Sequence, residues 1–177
     1  MSCTETINLA RFENEKIEFD LHCKQDEINI ELVGVVPTGN LKFGGTIEIN
    51  NDFAVVNGNV SLDLEIECGR CLAPIANQQA FEFVCAYVSA AKLTEEVEFE
   101  LEKFGFDVSV IEDDILDLGA VAVEQIEVRL PDHPTCRKDC RGICPDCGID
   151  LNHESCNCSE NKIDSRWAAL KELKKEK

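Results

Sequence analysis

Residues 59–71 have the sequence NVSLDLEIECGRC. Up to Ile66 apolar and polar side chains alternate, so that Val60, Leu62, Leu64 and Ile66 share one face. Successive side chains of a strand point to opposite faces of a sheet. The pattern therefore predicts a strand with one buried and one solvated face, which is typical of antiparallel sheets. The stretch ends in Cys68-Gly69-Arg70-Cys71, two thiols at the spacing of a metal knuckle.

Further strand patterns surround this one. They are predicted at 28–36, 41–49, 53–56 and 79–88, and more weakly in the acidic segment 95–102. Asn57-Gly58 is a strong hairpin signal. From Asp117 the apolar period becomes helical, which predicts a helix at about 117–130 that ends before Pro131. A terminal helix is predicted at 164–176, with Asp164 as its N-cap.

These elements predict an α+β fold built on a mainly antiparallel sheet, with a barrel-like closure as one variant. A C-terminal cysteine-rich zinc module and a terminal helix complete it. We expect an acidic β-rich domain at 1–134 and the zinc module with its helix at 135–177, packed together as one unit.

The 177 residues, 44% of them hydrophobic, suffice for a real core. The N-terminus has no basic start and no apolar run, and no window approaches 18 apolar residues. We therefore expect a cytoplasmic protein without a membrane segment and with reduced thiols. Disulfides are disfavoured on that basis, and the isolated Cys3, Cys23 and Cys85 are expected to be buried free cysteines.

Charge is distributed unevenly. Residues 1–128 carry 7 Lys and Arg against 26 Asp and Glu, whereas residues 129–177 carry 10 against 9. An acidic surface repels the phosphates of nucleic acids and suits a basic protein partner better. Solubility alone is an equally simple explanation of such a surface.

Six of the 11 cysteines lie in residues 136–158, CRKDCRGICPDCGIDLNHESCNC. Cys144-Pro-Asp-Cys147-Gly148 is a zinc knuckle, in which Gly148 supplies the positive φ that the turn needs. Cys156 and Cys158 follow closely and complete a self-contained four-thiolate site. All-cysteine sites of this kind are structural, since a catalytic zinc retains an open position.

Two pairs of cysteines then lack a local partner. The economical arrangement joins Cys68 and Cys71 to Cys136 and Cys140 around a second zinc ion. A thioredoxin-like redox pair at Cys68 and Cys71 is an alternative, but Pro74 disfavours the helix that such a pair begins. An iron–sulfur cluster is another alternative, because thiolates also suit iron.

The combination of LEIECGRCLAP, DLGAVAVEQIEVRLP, CRKDCRGICPDCGIDLN, CNC and DSRWAALKEL resembles the YceD family, the large ribosomal RNA subunit accumulation proteins. The resemblance covers roughly residues 30–175. It implies an α+β domain with a bound metal and a role in the synthesis, processing or stability of large-subunit ribosomal RNA. Family members without the CPxCG and CxC pairs imply that the ligands matching Cys68, Cys71, Cys136 and Cys140 form a site of their own.

Three functions remain open from the sequence. The first is a non-catalytic, two-zinc ribosome-assembly factor whose acidic face holds a basic ribosomal protein or large-subunit precursor. The second is a module that binds ribosomal RNA directly through the basic residues Arg129, Arg137, Lys138, Arg141 and Arg166. The third is a thiol redox or metal-dependent enzyme, which the lack of a phosphate loop, HExxH or GxSxG motif disfavours. The oligomeric state is open.

Overall fold

The described part of the protein contains one large β-sheet of six strands and a small sheet of two. The computed structural model describes residues 3–50, 53–95, 97, 105 and 107–158. Within these ranges the strands are β1 Thr6–Asn8, β2 Glu15–Cys23, β3 Val35–Pro37, β4 Leu41–Ile49, β5 Phe53–Glu67, β6 Pro74–Ser89, β7 Asp107–Ile111 and β8 Ile115–Asp117, and helix α1 is Leu118–Glu127. The chain divides into two compact units, one of Met1–Ile66 and Ile75–Asp132, the other of Glu67–Pro74 and His133–Lys177.

The main sheet has the order β2-β4-β5-β6-β7, with β3 also paired to β5. The pairs β2–β4, β3–β5 and β4–β5 are antiparallel, whereas β6 and β7 are parallel. The predicted α+β class with a mainly antiparallel sheet is confirmed. The barrel-like closure was wrong, because in the described part of the chain the end strands β2 and β7 do not pair with each other.

The core of the first unit lies between one face of this sheet and helix α1. Val60, Leu62, Leu64 and Ile66 of β5 are buried, as their alternation predicts. Leu118, Val121, Ala122 and Ile126 of α1 are buried in the same cluster as the sheet residues. The aromatic centre is Phe43, whose ring centroid lies 4.7 Å from that of Phe19 and 5.7 Å from that of Phe83. Because α1 covers the apolar face, the open sheet buries its core without closing.

Asn57-Gly58 does not form the predicted hairpin, since β5 continues through both residues. Gly58 instead provides space for aromatic packing. A Cβ atom there would lie 2.6 Å from Cε2 of Phe43 and 2.8 Å from Cζ of Phe83. A glycine inside a strand can mark such a close approach as well as a turn.

The strand predicted at 28–36 was also wrong, because a paired strand forms only at Val35–Pro37 in this stretch. Gly34 has φ 76°, and Val33 before it is fully exposed. The apolar residues of this stretch thus surround a turn. Ile28 and Ile30 still pack against the core as partly buried side chains.

The N-terminal segment is fixed by pairing and by a disulfide. Strand β1 pairs antiparallel with β8, and Leu118 N–H donates to the carbonyl of Glu5. Cys3 and Cys23, predicted to be free, form a disulfide with their Cα atoms 5.6 Å apart. Sequence patterns could not show this pairing, because the residues meet only through the tertiary fold.

Two predictions fall on parts of the chain that are not described. The terminal helix at 164–176 lies wholly outside the described residues, and the weak strand at 95–102 lies mostly outside them. The division into domains at 134/135 stays a prediction. In the described ranges, no helix has the length and apolar character needed to cross a membrane.

Candidate metal centres

Eight cysteines of the second unit lie in two groups of four. One group is Cys68, Cys71, Cys136 and Cys140, and the other is Cys144, Cys147, Cys156 and Cys158. In each group the four sulfur atoms lie within 4.8 Å of one another. The structure thus brings together the two sets that the spacing grouped.

The two CxxC loops have the same backbone hydrogen bonds. Leu72 N–H donates to Cys68 O over 2.9 Å, and Gly148 N–H donates to Cys144 O over 2.8 Å. Cys68 N–H reaches Ala73 O over 2.9 Å, and Cys144 N–H reaches Ile149 O over 2.8 Å. The residue after the second cysteine is left-handed in both loops, with φ 60° for Leu72 and 76° for Gly148. Both loops are therefore knuckles, and neither begins a helix as a thioredoxin-like pair would.

The first group combines two segments of the chain that lie far apart in the sequence. Gly69 N–H donates to Pro134 O over 2.8 Å, and Ile143 N–H donates to Arg70 O over 3.0 Å. The Arg70 guanidinium in turn donates through Nη1 to Cys140 O over 2.9 Å. Gly142 makes this approach possible, because a Cβ atom there would lie 2.9 Å from Arg70 O. The Cys68 knuckle is thus held against the Cys136–Cys140 segment by main-chain contacts as well as by thiols.

The sulfur separations fit one tetrahedral ion. At a zinc–sulfur distance of about 2.3 Å, the edge of a thiolate tetrahedron is about 3.8 Å. Cys71 Sγ lies 3.6 Å from Cys136 Sγ, and Cys68 Sγ lies 3.9 Å from Cys140 Sγ. A disulfide needs about 2.05 Å, so these pairs are not arranged as disulfides. A multi-iron cluster would separate the sulfurs further, whereas a single four-thiolate ion matches them.

Backbone N–H groups make the first cysteine of each knuckle acidic. The N–H of Cys136, followed by those of Arg70 and Cys71, lowers the pKa of Cys68 to about 6. The N–H groups of Cys147 and Asp146 lower the pKa of Cys144 to about 7. Hydrogen bonds to a thiolate stabilise its charged form. Each knuckle therefore offers a thiolate, which is the form that binds a metal.

Two other thiols, Cys136 and Cys158, resist ionisation beside their neighbours. Hydrogen bonding to Cys147 and then to Cys156 raises the pKa of Cys158 to about 12. Desolvation, followed by contact with Cys71, raises the pKa of Cys136 to about 12. Four thiolates at such distances repel one another unless a cation lies among them. The donor set thus fits a divalent, thiophilic ion such as Zn²⁺, which would displace the remaining protons.

Asn152, which the sequence pattern did not single out, bridges the two groups. It lies in the loop between the Cys144 knuckle and Cys156, yet its Nδ2 donates to Cys140 Sγ over 3.5 Å. Its Oδ1 accepts from Arg141 N–H and from Arg137 Nη2, each over 2.8 Å. The Asn152 amide is the first cause of the lowered pKa of Cys140. The signal available in the sequence was Asp150-Leu-Asn152, since Asp150 Oδ1 accepts from Asn152 N–H over 2.8 Å in a local turn.

The predicted basic contact residues that the structure describes have different surroundings. Arg129, in the first unit, donates through Nη1 to Gln125 Oε1 over 2.8 Å and lies 4.3 Å above the Phe81 ring. In the second unit Arg137 is held by Asn152 and lies 3.6 Å from Asp139. Lys138 and Arg141 are exposed, and Arg166 lies outside the described residues. Two of the five thus hold local structure.

These features define a class of protein: a β-sheet domain joined in one chain to a module whose two cysteine groups can hold metal ions. The chain belongs to the family described as large ribosomal RNA subunit accumulation protein YceD, whose profile matches residues 56–174. The resemblance seen in the sequence is thereby confirmed. The family description names the accumulation of large-subunit ribosomal RNA.

Mycobacterial relatives extend the match towards the N-terminus. The chain is 32% identical over 174 residues to the uncharacterized protein Rv2926c of Mycobacterium tuberculosis. That alignment covers 95% of this chain and 80% of the relative. It is 29% identical over 149 residues to the uncharacterized protein ML1660 of Mycobacterium leprae, covering 82% and 64% of the two chains. No solved structure matches the chain significantly.

Proposed function

We propose that the protein is a non-catalytic factor of large-subunit assembly that binds two structural zinc ions and a basic ribosomal protein or precursor particle. The observation that carries the metal part is the pair of four-sulfur groups, in each of which the sulfur atoms lie within 4.8 Å of one another. The family description supports the ribosomal part. Binding of a partner, rather than catalysis, would follow from four thiolates per ion, because such a set leaves no open coordination position.

The zinc would connect two stretches of chain that are 65 residues apart between Cys71 and Cys136. Such a link closes a long loop, and it gives the β5–β6 connection a fixed place in the second unit. The zinc would also make the Cys144 loop rigid, so that Asn152 is held at Cys140 Sγ. The second unit would then present one rigid surface to a partner. Rigidity before binding reduces the entropy cost of association.

Elemental analysis tests the metal part directly. We expect two zinc ions per chain in the purified protein, one in Cys68→Ser, and one in the matched variant Cys147→Ser. Cobalt substitution should give the spectrum of tetrahedral thiolate coordination at each site. One zinc in the wild type, or iron, would contradict the two-site proposal.

Depletion in cells tests the ribosomal part. Loss of the protein should lower large-subunit ribosomal RNA relative to small-subunit RNA, and tagged protein should capture large-subunit proteins or precursors. Wild-type protein should restore the ratio, whereas the double variant Cys68→Ser/Cys147→Ser should not. An unchanged RNA ratio together with no captured large-subunit component would remove the proposal.

Direct binding of ribosomal RNA is a second candidate, supported by exposed Lys138 and Arg141 beside the first cysteine group. Phosphate contacts make affinity steeply dependent on salt. Lys138→Glu/Arg141→Glu should then weaken RNA binding about tenfold or more. Unchanged binding of an RNA probe in that variant would remove this candidate and leave the protein-binding function in place.

A further inference from the structure

The main sheet of the first unit has a second face, opposite the core, which we call the outer face. The strand register arranges its side chains in rows across β2, β4 and β5. One row is Lys16, Glu48 and Val55, the next is Glu18, Thr46 and Asn57, and the third is Asp20, Gly44 and Asn59. Glu18, Asp20, Glu48 and Asn59 are exposed. This face is therefore accessible over three strands.

Two adjoining grooves lie on the outer face, with volumes of about 750 Å³ and 410 Å³. Both grooves are lined by Asn57 and Val84, so they form one continuous depression, which we call the trough. The first groove runs to Glu48 and Phe53, and the second to Asn59 and Glu82. The trough is long and open, so an extended chain suits it better than an enclosed small molecule does.

The charge of the outer face is strongly unbalanced. Its described residues in the first unit include two lysines, Lys16 and Lys42, and the carboxylates Glu18, Asp20, Glu48, Asp63, Glu65 and Glu82. Lys16 is already bound to Glu48 over 2.7 Å. Within the described ranges Glu18, Glu65 and Glu82 form no ion pair. The face therefore attracts cations and repels phosphates.

Two apolar residues, Val55 and Val84, line the trough among these carboxylates, and we call them the ledge. Val84 is 42% exposed, and Val55 beside it is half-buried. Val55 packs against the buried cluster of Phe53, Ala86, Val88 and Val97. The ledge could take one apolar side chain of a ligand onto a preformed apolar base. Between ledge and carboxylates, the amides of Asn57 and Asn59 offer both donors and acceptors to an extended main chain.

We infer that the trough binds an extended, lysine- and arginine-rich segment of a protein partner, with one apolar side chain on the Val55–Val84 ledge. This inference rests on the proposed function and specifies which surface takes the basic partner. The carboxylates select the charge of the segment, the amides bind its backbone, and the ledge fixes its register. Such a division between steering charges and a central apolar contact is usual in interfaces.

Titration of the zinc-loaded protein tests the trough. The probe is a short synthetic peptide of lysine and arginine with a single central leucine. Amide chemical shifts should change at trough residues, and Glu18→Lys/Glu82→Lys should weaken binding at least about tenfold. The matched control Glu5→Lys/Glu112→Lys changes the net charge equally at exposed sites outside the trough, and should weaken binding less than about twofold.

Equal losses in the two variants, or shifts scattered over the acidic surface, would overturn the inference in favour of general charge attraction. Both variants change exposed side chains, and their circular dichroism and zinc content should equal those of the wild type. If Glu18→Lys/Glu82→Lys fails this check, it is replaced by Glu18→Gln/Glu82→Gln, which retains the shape and removes charge, and which should weaken binding about threefold or more.

Capture from cell lysate separates this inference from the function on which it rests. The trough variant should lose large-subunit proteins that the wild type and the control retain after nuclease treatment. Retention by all three proteins would overturn the inference and leave the function intact. No large-subunit protein on the wild type would overturn the function, whatever the peptide titration shows. Capture that nuclease abolishes would overturn the inference in favour of RNA.

Discussion

The two units of the protein bury different kinds of residue. In the first unit the buried residues are large and apolar, with Leu41, Phe43, Ile47 and Leu62 almost fully covered. In the described part of the second unit, the buried apolar residues are Cys68, Cys140 and Cys144. A hydrophobic core therefore stabilises the first unit, whereas the second has thiols where a core would be. A chain segment too small to bury a core commonly depends on metal or disulfide links.

This difference shows that the two knuckles are held in place without a hydrophobic core. Leu72 is 56% exposed and Ile143 is 38% exposed, so side chains that could have formed a core point to solvent. Main-chain hydrogen bonds and sulfur contacts connect the segments of the second unit instead. Four predictions test this contrast, in order of decreasing effect.

Removal of metal should have the largest effect, and it should act on the second unit. Structural zinc contributes on the order of 10 kcal/mol in small domains. A strong chelator should therefore unfold the second unit and release two zinc ions per chain, while the β-sheet signal of the first unit persists. Amide exchange resolved by residue measures both units at once. Protected amides at Cys144 and Leu151 after complete metal removal would contradict the assignment of stability to metal.

Truncation of the aromatic centre should act on the first unit alone. Phe43→Ala removes the ring between Phe19 and Phe83 and should cost about 3–5 kcal/mol of unfolding free energy. The zinc content should remain two per chain. Leu72→Ala, at an exposed position of the second unit, is the control and should cost less than about 0.5 kcal/mol. Denaturant unfolding followed by circular dichroism measures both, and loss of zinc in Phe43→Ala would contradict separate stabilisation.

Asn152→Asp should weaken metal binding at one cysteine group of the second unit and not at the other. The substitution retains an acceptor for Arg141 N–H but removes the donor to Cys140 Sγ and adds negative charge beside the thiolates. Loss of such a supporting contact typically weakens metal affinity by about 10–100-fold. Competition with a chelator should show this loss at the Cys68 site. The Cys144 site of the same molecule is the internal control, and an equal loss there would show a general effect on folding.

The smallest effect is expected at the start of helix α1. Asp117 Oδ1 accepts from Gly119 N–H over 2.9 Å and from Ala120 N–H over 3.3 Å. Asp117→Ala should lower the unfolding free energy of the first unit by about 1 kcal/mol, and Asp117→Asn should restore most of it. Thermal unfolding compares the three proteins. No difference between Asp117→Ala and wild type would show that the cap contributes nothing measurable.

The sequence predicted those features that depend on local pattern. Alternation determined which residues of β5 are buried, because a strand has a side-chain period of two. Cysteine spacing predicted both knuckles, because a CxxC turn by itself brings two sulfurs together. The helix start at Asp117 was found because the apolar period changes there, and a helical period is a local pattern. The partition of eight cysteines into two groups followed from elimination among few pairs, and the structure places the same sets together.

Only the tertiary structure decided the features that depend on distant neighbours. Gly58 is a turn signal in isolation, but two aromatic rings from other strands occupy its Cβ space. Cys3 and Cys23 carry no spacing signal. They meet because the pairing of β1 with β8 and the bond from Cys3 N–H to Glu27 O fix the N-terminal segment. The open sheet depended on which strands found partners, and Asn152 acquired its role from a sulfur 12 residues away. Local sequence thus determines backbone conformation and ligand chemistry, whereas long-range packing decides which of several possible structural roles a residue has.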